Sequence, residues 1–100
     1  MAVGAARVGD AVATGHLCDT TTTIASGATT VLINGRPAAR ALDPLAPHTS
    51  GIPPICLPHS AVVNAGRLDI LVEGKPLATF GSSADAGSIT SSSENVAVSI

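Results

Sequence analysis

Aromatic side chains are almost absent from this 100-residue chain: Phe80 is the only one, and there is no Trp or Tyr. Charge is scarce as well, with five basic and seven acidic residues giving a formal net charge of −2. Nucleic-acid binding calls for a cationic footprint and, on single strands, for stacking rings, so both shortages exclude it. A ligand- or peptide-binding module anchored on Tyr and Trp is disfavoured on the same ground. Long apolar runs are missing too, and no stretch approaches the roughly 18 residues that a membrane-spanning helix needs. Arg7 and Asp10 interrupt the N-terminus before any apolar segment of a secretory signal develops. The expectation is synthesis in a reducing cytoplasm, where a disulfide between Cys18 and Cys56 is disfavoured.

Small side chains fill the chain instead. Leu, Ile, Val and Phe make up a quarter of it and Ala contributes 17 more residues. One domain over residues 1–100 is expected, with a modest core that leaves little margin over chain entropy. Scaffolds of this kind commonly add a disulfide, a metal or an oligomeric partner.

A thirteen-residue block, Gly27 to Ala39, recurs 39 positions later as Gly66 to Ala78, and the two share both glycines, an apolar triplet, a basic residue and a proline. A shortened third copy runs from Ser92 to Val98. Internal repetition on this scale indicates one supersecondary unit used several times. The brief β-branched pieces and frequent Gly, Pro, Ser and Thr predict short strands and no sustained helix. Thr30 to Ala38 predicts a hairpin turning at Asn34-Gly35, and Ile70 to Ala78 a hairpin turning at Glu73-Gly74. Strands are also predicted over Thr22 to Ala25, Ala61 to Asn64, Ser88 to Thr90 and Val96 to Ile100. The third copy has no turn and no return strand of its own. Residues Asp43 to His59 carry five prolines and are expected to form a long ordered loop, neither helix nor paired strand.

All three histidines and both cysteines fall in two of the predicted loops. Imidazole and thiolate are favoured zinc ligands, and four protein ligands make a closed structural site. The set expected here is His16, His48, Cys56 and His59, with Cys18 either a substitute ligand or a small buried residue. Such a set leaves no open position for a zinc hydrolase, and the nearby carboxylates Asp19 and Asp43 suit local turns better than general-base work. No G-x-S-x-G elbow is present. Arg36, Arg40, Arg67 and Lys75 are expected at hairpin ends or edges, as solvated guards against aggregation or as part of a docking face. Phe80 is expected in the core.

Taken together, Ala5 to Asp10, Thr14-Gly15-His16, the stretch Gly27 to Asp43 with its literal Pro37-Ala38-Ala39-Arg40, and the later copies Ala61 to Gly81 and Ile89 to Val98 resemble the PAAR-repeat family. These are the small conical proteins that cap the spike of bacterial type VI secretion systems and related contractile injection machines. The second copy departs from the pattern with Leu77-Ala78-Thr79-Phe80. The resemblance implies a mainly β, pyramidal domain of three pseudo-threefold hairpin repeats, with a structural zinc held near the apex by three histidines and a cysteine. It implies a non-enzymatic tip, seated one per trimer on a trimeric β-helical spike, that sharpens the spike and aids piercing of the target envelope, touching the target membrane only mechanically. It further implies assembly on the machine in a bacterial cytoplasm and delivery outward. With no residues left for an effector domain, toxin activity is not expected, and a small zinc-dependent hydrolase or toxin is the alternative reading.

Overall fold

The computed structural model describes residues 2–99. Among them there is no helix; the elements are twelve short strands. In chain order these are β1 (Ala2–Gly4), β2 (Ala11–Ala13), β3 (Thr21–Thr23), β4 (Leu32–Ile33), β5 (Arg36–Pro37), β6 (His48–Ile52), β7 (Ile55–His59), β8 (Arg67–Val72), β9 (Lys75–Leu77), β10 (Ser83–Ala84), β11 (Gly87–Ile89) and β12 (Ala97–Ser99).

The two hairpins expected from the repeat are present. β4 and β5 turn at Asn34-Gly35 with φ of 55° and 78°, and β8 and β9 turn at Glu73-Gly74 with φ of 52° and 82°. Both central residues of each turn lie in the left-handed region that a type I′ hairpin requires. The third copy does have a return strand, contrary to the expectation, and it comes from the other end of the chain. β12 pairs antiparallel with β1, Ala2 opposite Ser99, Val3 opposite Val98 and Gly4 opposite Ala97. Gly4 is glycine because a Cβ there would lie 2.3 Å from the carbonyl oxygen of Ser93. Gly4-Ala5-Ala6-Arg7 therefore stands where the other units have Pro37-Ala38-Ala39-Arg40 and Pro76-Leu77-Ala78-Thr79.

The three units meet in a closed ring of backbone hydrogen bonds. Ala39 N–H donates to the Ala6 carbonyl (2.9 Å), Ala78 N–H to Ala39 (2.9 Å) and Ala6 N–H to Ala78 (3.0 Å). All three alanines are fully buried, as three backbones meeting around one axis demand. Beyond the ring each unit makes the same tight turn: Asp10, Asp43 and Ser82 N–H donate to the carbonyls of Arg7, Arg40 and Thr79. The residue before each turn end has positive φ, 90° at Gly9, 76° at Leu42 and 84° at Gly81. Its N–H donates to Ile24, Val63 or Ile89, where the chain returns from an outward excursion.

This pseudo-threefold order also arranges the core. One tier clusters Ala5, Ala38 and Leu77 with Ile33, Val72 and Val98; the other clusters the alanine ring with Val12, Leu45, Ala84, Ile24, Val63 and Ile89. Phe80 is not part of either and is 50% exposed. It occupies the turn position matched by Val8 and Ala41, outside a ring that has room only for alanine. Arg40 is no solvated guard either: its side chain, 12% exposed, bonds the carboxylates of Asp43 and Glu73 at 2.8 Å each.

The segment expected as a loop is the longest regular hairpin of the molecule. β6 and β7 pair over five positions, from His48 opposite His59 to Ile52 opposite Ile55. The prolines are accommodated by position. Pro53-Pro54 make the turn, and Pro58 lies opposite Thr49, whose N–H points away from β7 to the Asp19 carboxylate at 2.7 Å. A residue opposite an outward-facing N–H needs no donor, so a proline costs the ladder nothing there.

Candidate metal centre

Three outward excursions leave the ring region, residues 10–24, 43–63 and 82–89, and each carries donor side chains to one place. The first brings His16, the second His48 and His59 on neighbouring strands, and the third Asp85. One ligand-capable atom from each of these four residues lies within 4.8 Å of the others. Asp85 stands in the two-residue turn between β10 and β11, with φ of 53°, a conformation that Asp tolerates better than most residues.

The three imidazoles converge on that carboxylate. Nε2 of His48 is 2.6 Å from Asp85 Oδ2, Nε2 of His16 is 2.9 Å from the same oxygen, and Nε2 of His59 is 3.1 Å from Oδ1. Nδ1 of His48 faces the Ala46 carbonyl at 2.9 Å. A nitrogen facing a carbonyl must carry the proton, which leaves Nε2 as the atom that donates a second proton to the Asp85 carboxylate or, unprotonated, offers a lone pair to a shared cation. Burial alone would lower the His48 pKa, yet the hydrogen bonds to Ala46 and Asp85 and the charge of Asp85 outweigh it and raise the value above 6.5. Burial likewise works to raise the Asp85 pKa, but hydrogen bonds from His48, His59 and His16 prevail and hold it below 3.8. The site thus concentrates anionic and imidazole donors, and this donor set fits a divalent transition metal: three nitrogen ligands and one carboxylate suffice for a closed four-coordinate site.

Of the residues expected as ligands, His16, His48 and His59 lie together and Cys56 lies elsewhere. Cys56 is joined to Cys18 in a disulfide with Cα atoms 5.8 Å apart, so neither the thiolate ligand nor the free thiols expected from a reducing compartment are present. Strand geometry accounts for it. Side chains alternate faces along β7, so Cys56, three residues before His59, projects from the opposite face. That face abuts the 17–19 loop, where Asp19 also accepts hydrogen bonds from the Thr49 N–H and hydroxyl. The C-x-x-H spacing that suggests a shared site would serve on a turn and fails on a strand.

Asp85 is the member of the site that sequence reading missed. The signal available was positional: Asp10, Asp43 and Ser82 open equivalent excursions, and within the third, Ser82 to Ile89, Asp85 is the only side chain able to ligate a metal. Asp43 serves its local turn as expected, accepting from the N–H of Arg40 at 2.7 Å, whereas Asp19 departs from that expectation and accepts from the N–H of Thr49, 30 residues along the chain.

The family profile described as the PAAR motif matches residues 1–50, half of the chain. Among curated proteins, none matches the chain significantly. With its ring of three alanine-centred units and a histidine-carboxylate cluster fed by all three excursions, the chain belongs to the PAAR motif family.

Proposed function

We propose that this protein is the non-enzymatic tip of a contractile injection machine of the type VI or phage-tail-like class, seated on a trimeric β-helical spike at one chain per trimer. The observation that carries the reading is the closed hydrogen-bond ring of Ala6, Ala39 and Ala78, taken with the family match. A single chain complements a threefold partner only by presenting three similar faces, and the hairpins β4–β5, β8–β9 and β12–β1 supply them around that ring. Their exposed edges and the exposed Leu32, Leu68 and Leu71 give the spike strands to pair with and apolar surface to cover.

In this reading His16, His48, His59 and Asp85 hold one structural zinc, which ties the three excursions together beyond the apolar tier of Val12, Leu45 and Ala84 at their base. The zinc supplies cross-linking only, because all four positions are filled by the chain's own donors. The test is co-purification with a trimeric spike protein of such a machine. Native mass spectrometry is expected to give one tip per three spike chains. A tip that binds no spike, or binds at three per trimer, overturns the reading.

A further inference from the structure

The hairpin formed by β6 and β7 extends beyond what the metal centre requires. Its root carries His48 and His59, yet the strands continue outward, and every residue from Gly51 to Pro58 is exposed. Ile52 and Ile55 face each other at the far end, 71% and 66% exposed, with Leu57 at 63% on the same face and Leu17 at 65% on the loop tied to Cys56. Between Asp43 and Arg67 there is no carboxylate, lysine or arginine. A water-facing hairpin normally carries such charges, and their complete absence over a protruding apolar end matches an uncharged, low-dielectric partner.

We propose that the distal end of this hairpin inserts into the acyl boundary of a lipid bilayer. The dimensions agree. Four residues per strand project, about 13 Å of β-structure, and an interfacial segment sits roughly 5–10 Å deep. The backbone is suited to that depth: the strands bond each other, and Pro53, Pro54 and Pro58 have no N–H to desolvate. By the alternation that leaves the Thr49 N–H pointing outward, those of Gly51 and Cys56 point outward too, which holds the hairpin at the interface, where water and headgroup oxygens reach them. The end is also rigid before contact. The Cys18–Cys56 disulfide and the Asp19–Thr49 hydrogen bonds fasten the face opposite the isoleucines to the body of the protein. The inference rests on the tip reading for its setting alone, since the measurement below uses no spike and co-purification uses no lipid.

The experiment is flotation of the full protein, metal-loaded and oxidised, with phosphatidylcholine vesicles at about 0.15 M and about 1 M salt, conditions that separate screened from unscreened electrostatics. Equal binding at both salts is expected, and Ile52→Asp/Ile55→Asp is expected to lower the bound fraction at least tenfold. Leu42→Asp, at a 63% exposed leucine outside the hairpin, leaves it unchanged. Because the chain has no Trp, Ile55→Trp gives a second readout, a blue-shifted emission that brominated lipid quenches. The proposal is overturned if the protein stays unbound, if the double aspartate variant floats equally, if binding needs anionic lipid and vanishes at high salt, or if vesicles leave the indole emission of the Ile55→Trp variant unchanged. Hairpin-dependent binding to whole envelopes without binding to pure lipid overturns it in favour of a protein receptor.

Discussion

His48 and His59 face each other directly across the β6–β7 hairpin, whereas Cys56 points from the opposite face and closes a disulfide with Cys18. The hairpin is therefore held from both sides, by the donor cluster on one and by the sulfur bridge on the other. The disulfide spans a sequence separation of 38 residues, and the loop-closure model gives up to about 4 kcal/mol for a bridge of that span. Cys18→Ser, Cys56→Ser and the double substitution are expected to lower stability by the same amount in denaturant titrations, because each removes one and the same bond. A ligand role for Cys56 predicts instead that Cys56→Ser costs far more than Cys18→Ser.

Metal content separates the two sides of the hairpin. Asp85→Asn keeps the shape of the side chain and removes its anionic donor, so zinc affinity is expected to fall by more than about a hundredfold, beyond the 10–100-fold typical of outer-shell changes. Cys56→Ser is expected to retain one zinc per chain. Elemental analysis combined with chelator competition checks both, and stoichiometric zinc in Asp85→Asn would remove Asp85 from the ligand set.

The hairpins at Asn34-Gly35 and Glu73-Gly74 were legible because their turn signal is local, a glycine that accepts positive φ two residues after Ile33 and Val72 and directly before a basic residue and a proline. The three histidines were legible as donors because few side chains compete with them. What sequence concealed was non-local. The return strand of the third unit, Ala2–Gly4, lies 93 or more residues from its partner Ala97–Ser99. No local pattern in either end announces that pairing. The β6–β7 hairpin was hidden by its prolines, which count against a strand on average and are harmless at the turn and opposite Thr49. Asp85 was hidden because its partners come from two other excursions, and a carboxylate in a turn ordinarily serves the turn.

Leu42 is the exception within the threefold pattern. Its φ of 76° matches Gly9 at 90° and Gly81 at 84°, yet it carries a Cβ and its side chain is 63% exposed. A left-handed conformation costs a non-glycine residue roughly 1–2 kcal/mol, and glycine returns about 0.5–1 kcal/mol of that through its greater freedom when unfolded. Leu42→Gly is thus expected to stabilise the protein by about 0.5–1 kcal/mol, a rise of a few degrees in Tm. Thermal unfolding of the two proteins side by side checks it, and a lower Tm for the glycine variant contradicts the assignment of strain.

Acid sensitivity is expected to centre on Asp10. Its buried carboxylate accepts hydrogen bonds from the backbone N–H and guanidinium of Arg7, from Arg36 at 3.0 Å and from the Ser91 hydroxyl at 3.0 Å. Burial works to raise its pKa, but the bonds from Arg7 and Ser91 and the Arg7 charge outweigh burial and set it below 3.8. A carboxylate with a lowered folded-state pKa adds stability that is complete above its unfolded value and is lost as pH falls through the folded one. The contribution of Asp10 is therefore expected to be constant from neutral pH down to about 5 and to decline below about 4. Asp10→Asn lowers stability at pH 7 by leaving Arg7 and Arg36 without their counter-charge, and it flattens the decline below pH 4. Denaturant titrations of both proteins across that range measure the difference, and parallel curves would show that the acid response originates at another carboxylate.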